Sequence, residues 1–331
     1  MRRFFVWTAL LACPAPAFAQ PAPQAPRLLE VRRIWDQAPH NAFTDLIRYQ
    51  DRWFCAFREG KTHVAPDGAL RVLTSEDGKA WASAARIESA TSDLRDAKLS
   101  IHPDGRLMLL AAAALRPPDV GKHQTLVWFS RDGKDWGQAT PIGERDVWLW
   151  RIAWHDGAAY GVGYGTGAGA ARFARLYRSA DGVRYDTLVP TLFDRGFPNE
   201  SALLFRPDGS ALCLLRRDGK EASGQLGRSR PPYTDWTWTD LGVRFGGPAM
   251  LALPDGRIVA GVRLHDGKVR TALCWLDPES GKLAEFLPLP SGGDTSYPGL
   301  AWHDGKLWVS YYSSHEGKAN IYLAEVEVPT P

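Results

Sequence analysis

Phe197-Pro198-Asn199-Glu200-Ser201-Ala202-Leu203-Leu204-Phe205-Arg206-Pro207-Asp208-Gly209-Ser210-Ala211-Leu212-Cys213-Leu214-Leu215-Arg216-Arg217 reads as two apolar strands joined by a Pro-Asp-Gly turn. Antiparallel pairing returns the chain to the end where it started, so Glu200 meets the Arg216-Arg217 pair opposite the turn. An acid and two bases brought to one rim of a sheet make this hairpin the first place to look for a site.

The hairpin recurs along the chain. Turns at Asp51, Asp104-Gly105, Asp156-Gly157, Asp208-Gly209, Asp255-Gly256 and Asp304-Gly305 follow one another at roughly 50 residues, and Asp-Gly between alternating apolar runs is a strong hairpin signal. Three units carry a second shared turn: Ser75-Glu76-Asp77-Gly78-Lys79-Ala80-Trp81, Ser130-Arg131-Asp132-Gly133-Lys134-Asp135-Trp136, and Ser179-Ala180-Asp181-Gly182-Val183-Arg184-Tyr185. Its chemistry is structural: Asp hydrogen-bonds the backbone that follows it, Gly supplies positive φ, and the aromatic packs back between sheets. Six units, each too small to bury a face alone, predict an all-β, six-bladed β-propeller of four-stranded blades. The strand Leu28 to Trp35 precedes the first hairpin, and the last unit, ending at Ile321 to Val328, lacks an outer strand. The N-terminal strand is expected to complete that blade and close a single domain over residues 28–328.

Residues 1–19 read as a secretory signal: Arg2-Arg3, the apolar run Phe4 to Ala12, and the small-residue ending Ala17-Phe18-Ala19. A periplasmic or secreted protein cleaved after Ala19 is the expectation, ahead of lipidation at Cys13; residues 20–27 are a Pro- and Ala-rich linker. No later stretch has the roughly 20 apolar residues of a spanning helix. The formal charge of +3 comes without a clustered basic run, so nothing points to nucleic acid. Cys55, Cys213 and Cys274 remain after the signal, an odd number that cannot all pair, and their apolar surroundings predict buried free thiols. No cofactor motif and no metal site is legible. His102, His155 and His303 sit beside turns far from the rim, and the glycine-rich run Gly161 to Gly167 opens no helix.

The Ser-x-Asp-x-Gly-x-x-Trp turns, the six hairpins, and Asn199-Glu200 followed by Arg216 resemble the sialidase (neuraminidase) superfamily, over the chain from about Leu28 to Val328. The resemblance implies an exo-glycosidase acting on a glycan, expected as a monomer. Tyr297, in Asp294-Thr295-Ser296-Tyr297-Pro298-Gly299-Leu300, matches the family's nucleophilic tyrosine, and Glu200 matches the glutamate that activates it. A phenol with a pKa near 10 needs such a base within reach, and sialidases depart from the two-carboxylate rule in this way. Arg216 matches a carboxylate-binding arginine, and Arg263 matches another by register.

Two features depart from the pattern. The family's first-blade Arg-Ile-Pro is replaced by His40-Asn41-Ala42-Phe43-Thr44-Asp45-Leu46, so one arginine of the clamp is missing, with Arg58 as the available substitute. The acid/base aspartate belongs on the loop Gly60 to Gly68, where Asp67 or His63 can serve, imidazole being the side chain that exchanges protons near neutrality. Asp96, in Leu94-Arg95-Asp96-Ala97-Lys98, aligns with a second-blade aspartate expected to contact a hydroxyl or orient a neighbour, and Arg95 is either its ion-pair partner or a substrate contact. Tyr312 stands at the matching strand end of the last hairpin. Because an arginine is missing, the sugar is either a sialic acid or another terminal sugar. The alternative is a non-catalytic glycan-binding propeller, which has no need of a base beside a phenol.

Overall fold

The computed structural model describes Met1 and residues 24–116, 121–167 and 172–330. The expected signal segment, Cys13 and part of the linker lie outside the described residues. Within them the chain forms strands and no helix, arranged as six four-stranded antiparallel sheets. Five are continuous in sequence, over residues 40–87, 92–142, 147–193, 197–240 and 245–288. The sixth takes three strands from residues 295–327 and its fourth from β1 (Arg27–Trp35), which pairs with the final strand Asn320–Glu327. This is the propeller anticipated from the repeats, closed by the strand anticipated to close it.

The first strand of each blade lies innermost, against the first strands of the blades on either side. These inner strands are β2 (His40–Tyr49), β6 (Ser92–Ile101), β10 (Val147–His155), β14 (Phe197–Phe205), β18 (Phe245–Ala252) and β22 (Thr295–His303). The hydrophobic clusters sit between blades. Tyr49 and Phe54 of the first blade pack with Leu107, Leu109 and Trp128 of the second, which is how sheets too narrow to stand alone become stable. Cys55, Cys213 and Cys274 are buried free thiols within these layers, as their setting predicted.

The shared turns are hydrogen-bonded devices. At the first, Ser75 Oγ accepts from Gly78 N (2.9 Å), Asp77 Oδ1 accepts from Lys79 N (2.8 Å) and Ala80 N (3.1 Å), and Trp81 Nε1 donates to Gly78 O (3.0 Å). The pattern repeats at Ser130 to Trp136. These turns hold blades together on the outside and bring no group to the axis.

All six inner strands break register at the same place. Pairing slips between Ala42 and Asp45, Arg95 and Lys98, Leu149 and Ile152, Pro198 and Ser201, Gly246 and Ala249, and Ser296 and Gly299. Each slip is a β-bulge, which adds a residue and re-aims side chains. The first bulge residue has φ of 65° at Phe43, 56° at Asp96, 57° at Gly247 and 51° at Tyr297. Only glycine adopts that region without strain, and a non-glycine residue there costs on the order of 1–3 kcal/mol. Strained non-glycine residues therefore stand at the mouth in the first, second and sixth blades.

At the seam between last and first blades the inner strands nearly touch. A Cβ on Gly299 would lie 2.2 Å from Leu46 N and 2.7 Å from the Asp45 carbonyl carbon, both backbone atoms. Gly299→Ala forces two strands apart and is expected to lower stability by roughly 1–3 kcal/mol or more, read as a drop in the denaturant midpoint. An unchanged midpoint would contradict so tight a seam.

Candidate active site

The bulges of β14 and β22 bring together two residues 97 apart in sequence: Tyr297 Oη donates to Glu200 Oε1 at 2.6 Å. Glu200 is 7% exposed, and its other oxygen accepts from Gly247 N at 2.8 Å and pairs with Arg216 Nη1 at 2.9 Å. Burial alone would raise the Glu200 carboxyl, but Arg216, the Tyr297 hydroxyl and the Gly247 amide outweigh it and hold the group below the usual glutamate range. Burial first, then the Glu200 charge, pushes Tyr297 well above the ordinary phenol range. The pair at rest is thus a carboxylate accepting from a neutral phenol. Arg216 Nη1 also approaches Tyr297 Oη (3.2 Å), while Nη2 pairs with Asp218 at 2.9 Å.

Beside this pair stands a second network. Arg263 donates to Thr295 O (2.6 Å), Tyr312 Oη (2.7 Å) and Asp294 Oδ1 (3.3 Å), and its guanidinium lies 5.0 Å from the centre of the Tyr297 ring. Tyr312 Oη in turn donates to Asp294 Oδ1 at 2.7 Å. Asp294 Oδ2 meets His40 Nε2 at 3.0 Å and His63 Nδ1 at 2.7 Å. Burial opposes ionisation of Asp294, but hydrogen bonds from His40, His63 and Tyr312 prevail and keep it far below the carboxylate range. By strand pairing the counterpart of Arg263 in the fourth blade is Arg217, which turns outward to Asp240 (2.8 Å); Arg216, one residue earlier, is the one that faces Glu200.

Asp96 is 5% exposed, and its Oδ1 is enclosed with no hydrogen-bond partner. Burial raises its carboxyl to about 6, Lys98 and Arg95 pull it down, and the Glu200 charge adds to the rise, so the two carboxylates sense each other across the mouth. Arg95 does not hydrogen-bond Asp96. It lies over the Phe43 ring at 5.4 Å and donates to His63 O at 2.9 Å.

The loop after the first hairpin divides the remaining expectations. Asp67 is exposed, its Oδ1 accepting from Lys61 N at 3.2 Å across its own loop. His63 is exposed and directed to Asp294. Arg58 is fully enclosed: it donates to Asp93 (2.8 Å), Thr62 O (2.9 Å) and Ala65 O (3.2 Å), so its charge pins the loop rather than facing the mouth. In the first-blade stretch His40 to Leu46, which carries no arginine, Phe43 is the residue packed edge-on to Tyr297 at 5.1 Å. Trp148 and Tyr164 stack at 6.0 Å, and Trp148 and Trp150 are 8% and 2% exposed, so their faces are filled by packing.

Sequence reasoning assigned no role to His40, Asp294 or Lys98. Lys98 is 3% exposed, with Nζ bonded to Thr44 O (3.2 Å) and set over Trp150 (4.9 Å). Burial, then Arg151, lowers its ammonium to about 8. Little in the sequence marks it: Lys98 and Asp45, which pairs with Arg151 at 3.1 Å, both stand in inner strands of mixed polarity, where one more charge does not stand out. A surface hollow of about 460 Å³ lined by Arg257, Trp275 and Pro329 lies at the turn end of the fifth blade and holds none of this chemistry.

No protein-family model matches the sequence, and no curated protein matches it. The fold does match solved structures. A protein of unknown function from Dyadobacter fermentans superimposes with a TM-score of 0.80 at 21% identity, over 92% of this chain and 99% of that one. An α-L-arabinanase of Penicillium chrysogenum, solved with arabinobiose, gives 0.70 at 13% identity over 90% and 98%. A sialidase of Trypanosoma rangeli, solved with sialic acid, gives 0.63 at 14% identity over 90% of this chain and 57% of its own. The chain is thus similar in fold to glycoside hydrolases built on the sialidase-like propeller.

Proposed function

Proceeding from a chain that has the fold of the arabinanase and sialidase propellers, we propose that it is an exo-glycosidase removing a terminal sugar without a carboxylate, by way of a tyrosyl-sugar intermediate. The observation that carries the reading is the 2.6 Å hydrogen bond between the Tyr297 phenol and the Glu200 carboxylate, both buried at the axis. Tyr297 Oη attacks the anomeric carbon while Glu200 takes the phenolic proton, and the bond from that carbon to the leaving oxygen breaks. Asp96 protonates the leaving oxygen: its carboxyl, raised to about 6, is a proton donor near neutral pH with one oxygen free of any partner. Water then attacks the anomeric carbon, Asp96 takes its proton, and Tyr297 departs with the proton held by Glu200, giving net retention. Asp67 and His63 are less suited to this role, since each is exposed and engaged elsewhere.

The substrate class follows from charge. Arg216 is matched by Glu200 and Asp218, and Arg263 by Asp294, while the first-blade stretch His40 to Leu46 supplies no arginine. Of the guanidiniums at the mouth only Arg95 is left without a hydrogen-bonded carboxylate, its nearest being Asp93 at 3.9 Å, and one loosely paired guanidinium is not a clamp for an anionic sugar, whose unpaired charge is costly in such a site. The signal-like pattern of residues 1–19 supports a reaction outside the cytoplasm, where glycans are met.

A panel of arabinosyl, other neutral, uronate-bearing and sialylated glycans, with released monosaccharides identified by mass spectrometry, tests the reading. Release of a neutral sugar supports it. Release of sialic acid overturns the substrate class, and binding without any release leaves the non-catalytic glycan-binding propeller.

A further inference from the structure

We propose that His40, His63 and Asp294 form a binding site for one divalent transition-metal ion of the zinc class at the lip of the mouth. The three side chains come from separate segments: the start of β2, the loop after the first hairpin, and the approach to β22. Each offers one ligand atom, and all three atoms lie within 4.8 Å of one another. The inference goes beyond the proposed reaction and does not rest on it.

Two imidazole nitrogens and one carboxylate oxygen are the donor set of zinc and its neighbours rather than of calcium or magnesium, which take oxygen. Zinc holds nitrogen and oxygen at about 2.0–2.2 Å, so in tetrahedral geometry its ligand atoms stand about 3.3–3.6 Å from each other. Asp294 Oδ2 is 3.0 Å from His40 Nε2 and 2.7 Å from His63 Nδ1, and all three atoms lie within 4.8 Å, so side-chain adjustments of up to roughly 1 Å admit the ion. The His63 side chain is 47% exposed, so its imidazole can turn that far while the loop backbone stays held by Arg58 and Arg95. Three protein ligands with one exposed imidazole leave a solvent-facing position for water, the arrangement of open zinc sites.

The surroundings support the carboxylate more than the imidazoles. Tyr312 Oη fixes Asp294 through its other oxygen at 2.7 Å, the outer-shell contact that orients a ligand. Arg263 reaches the same oxygen at 3.3 Å and repels a cation, while His40 Nδ1 has no partner. Both features set the affinity below that of a closed four-ligand zinc site. The bound ion would tie the first-blade loop to the last blade across the seam, beside Phe43, whose ring centre is 5.1 Å from that of His63.

The test uses the full chain without a polyhistidine tag, treated with chelator, dialysed, and titrated with zinc by calorimetry and with cobalt(II) by visible absorption. One equivalent per chain is expected. His63→Ala and Asp294→Asn should lose it, His303→Ala, at a distant turn, should keep it, and Tyr312→Phe should weaken it about 10–100-fold. His63 is 47% exposed on a loop, so its variant keeps the fold even where Asp294→Asn does not. No uptake by wild type, or uptake unchanged in His63→Ala, overturns the proposal and leaves two histidines hydrogen-bonded to a carboxylate. Because the readout is the metal alone, failure here leaves the glycosidase proposal standing.

Discussion

Tyr297→Phe is expected to slow sugar release by about 10⁴-fold or more, the scale on which removal of a nucleophile acts. The variant loses one oxygen and keeps the ring, so the packing against Phe43 and Trp150 survives. Glu200 Oε1 loses its 2.6 Å donor, but Oε2 keeps Arg216 and the Gly247 amide, and the carboxylate stays ionised. The folding cost is then about 1–3 kcal/mol for one orphaned acceptor, small enough for the variant to be purified and assayed. Glu200→Gln should fall by a comparable factor, because a neutral amide takes no proton from the phenol. Double replacement should cost little more than either single one, since the two act as a unit. Tyr297→Phe within tenfold of wild type would remove the tyrosyl intermediate from the account.

Asp96→Asn is expected to do two opposite things: slow release by roughly 10²–10⁴-fold, as loss of a general acid does, and stabilise the protein above neutral pH. The folded Asp96 carboxyl stands at about 6, above its ordinary 3.8, so between those values the folded state holds a proton that the unfolded state has released. Stability from this group is therefore highest at low pH, falls as pH rises through that window, and at pH 8 the buried ionised carboxylate costs on the order of 3 kcal/mol. Asn cannot ionise and tolerates the 56° φ that Asp96 adopts. Denaturant unfolding at pH 5 and pH 8 should show Asp96→Asn gaining on wild type at the higher pH only. The wild-type rate should also decline above about pH 6 as the acid loses its proton, and the residual rate of the variant should lack that limb. A variant less stable than wild type at pH 8 would mean that the enclosed oxygen is not the strained group described.

The repeated hairpins and their turns made the blades legible, because strand period and Asp-Gly chemistry are local. Glu200, Arg216 and Tyr297 were legible too, since matching ends of matching hairpins must converge on an axis. What the sequence concealed arises from the bulges and from one loop. An extra residue in every inner strand exchanges neighbours at the mouth, so that Phe43 rather than Thr44 faces Tyr297, while Thr44 supports the Tyr297 carbonyl from behind at 2.9 Å. Arg58 stands at a strand end as expected, but Gly60 and Gly68 allow the loop to fold onto it. A Cβ at Gly68 would lie 1.7 Å from Asp93 Oδ1 and 2.7 Å from Arg58 Nε, and no strand period reports such a closure. His40, His63 and Asp294 meet through tertiary structure alone, each separated from the others by a turn or most of the ring.

The latch formed by β1 also decides when the molecule becomes whole. Arg27 and Glu327, paired across that latch, are 300 residues apart. Joining ends so distant carries a chain-entropy cost on the order of 5 kcal/mol, against about 3.5 kcal/mol or less for contacts inside the five blades that are continuous in sequence. Blades can therefore zip locally, one against the next, while the ring stays a curved ribbon with two raw ends until the first strand arrives. The seam being sealed at that moment is the one where Gly299 presses on Leu46 and where the last blade delivers Tyr297. Glu200, Arg216 and the Gly247 amide can meet within and between neighbouring blades beforehand, whereas Tyr297 gains the Phe43 ring and the Thr44 hydroxyl only at that closing event, so the last docking step completes the support of the nucleophile candidate.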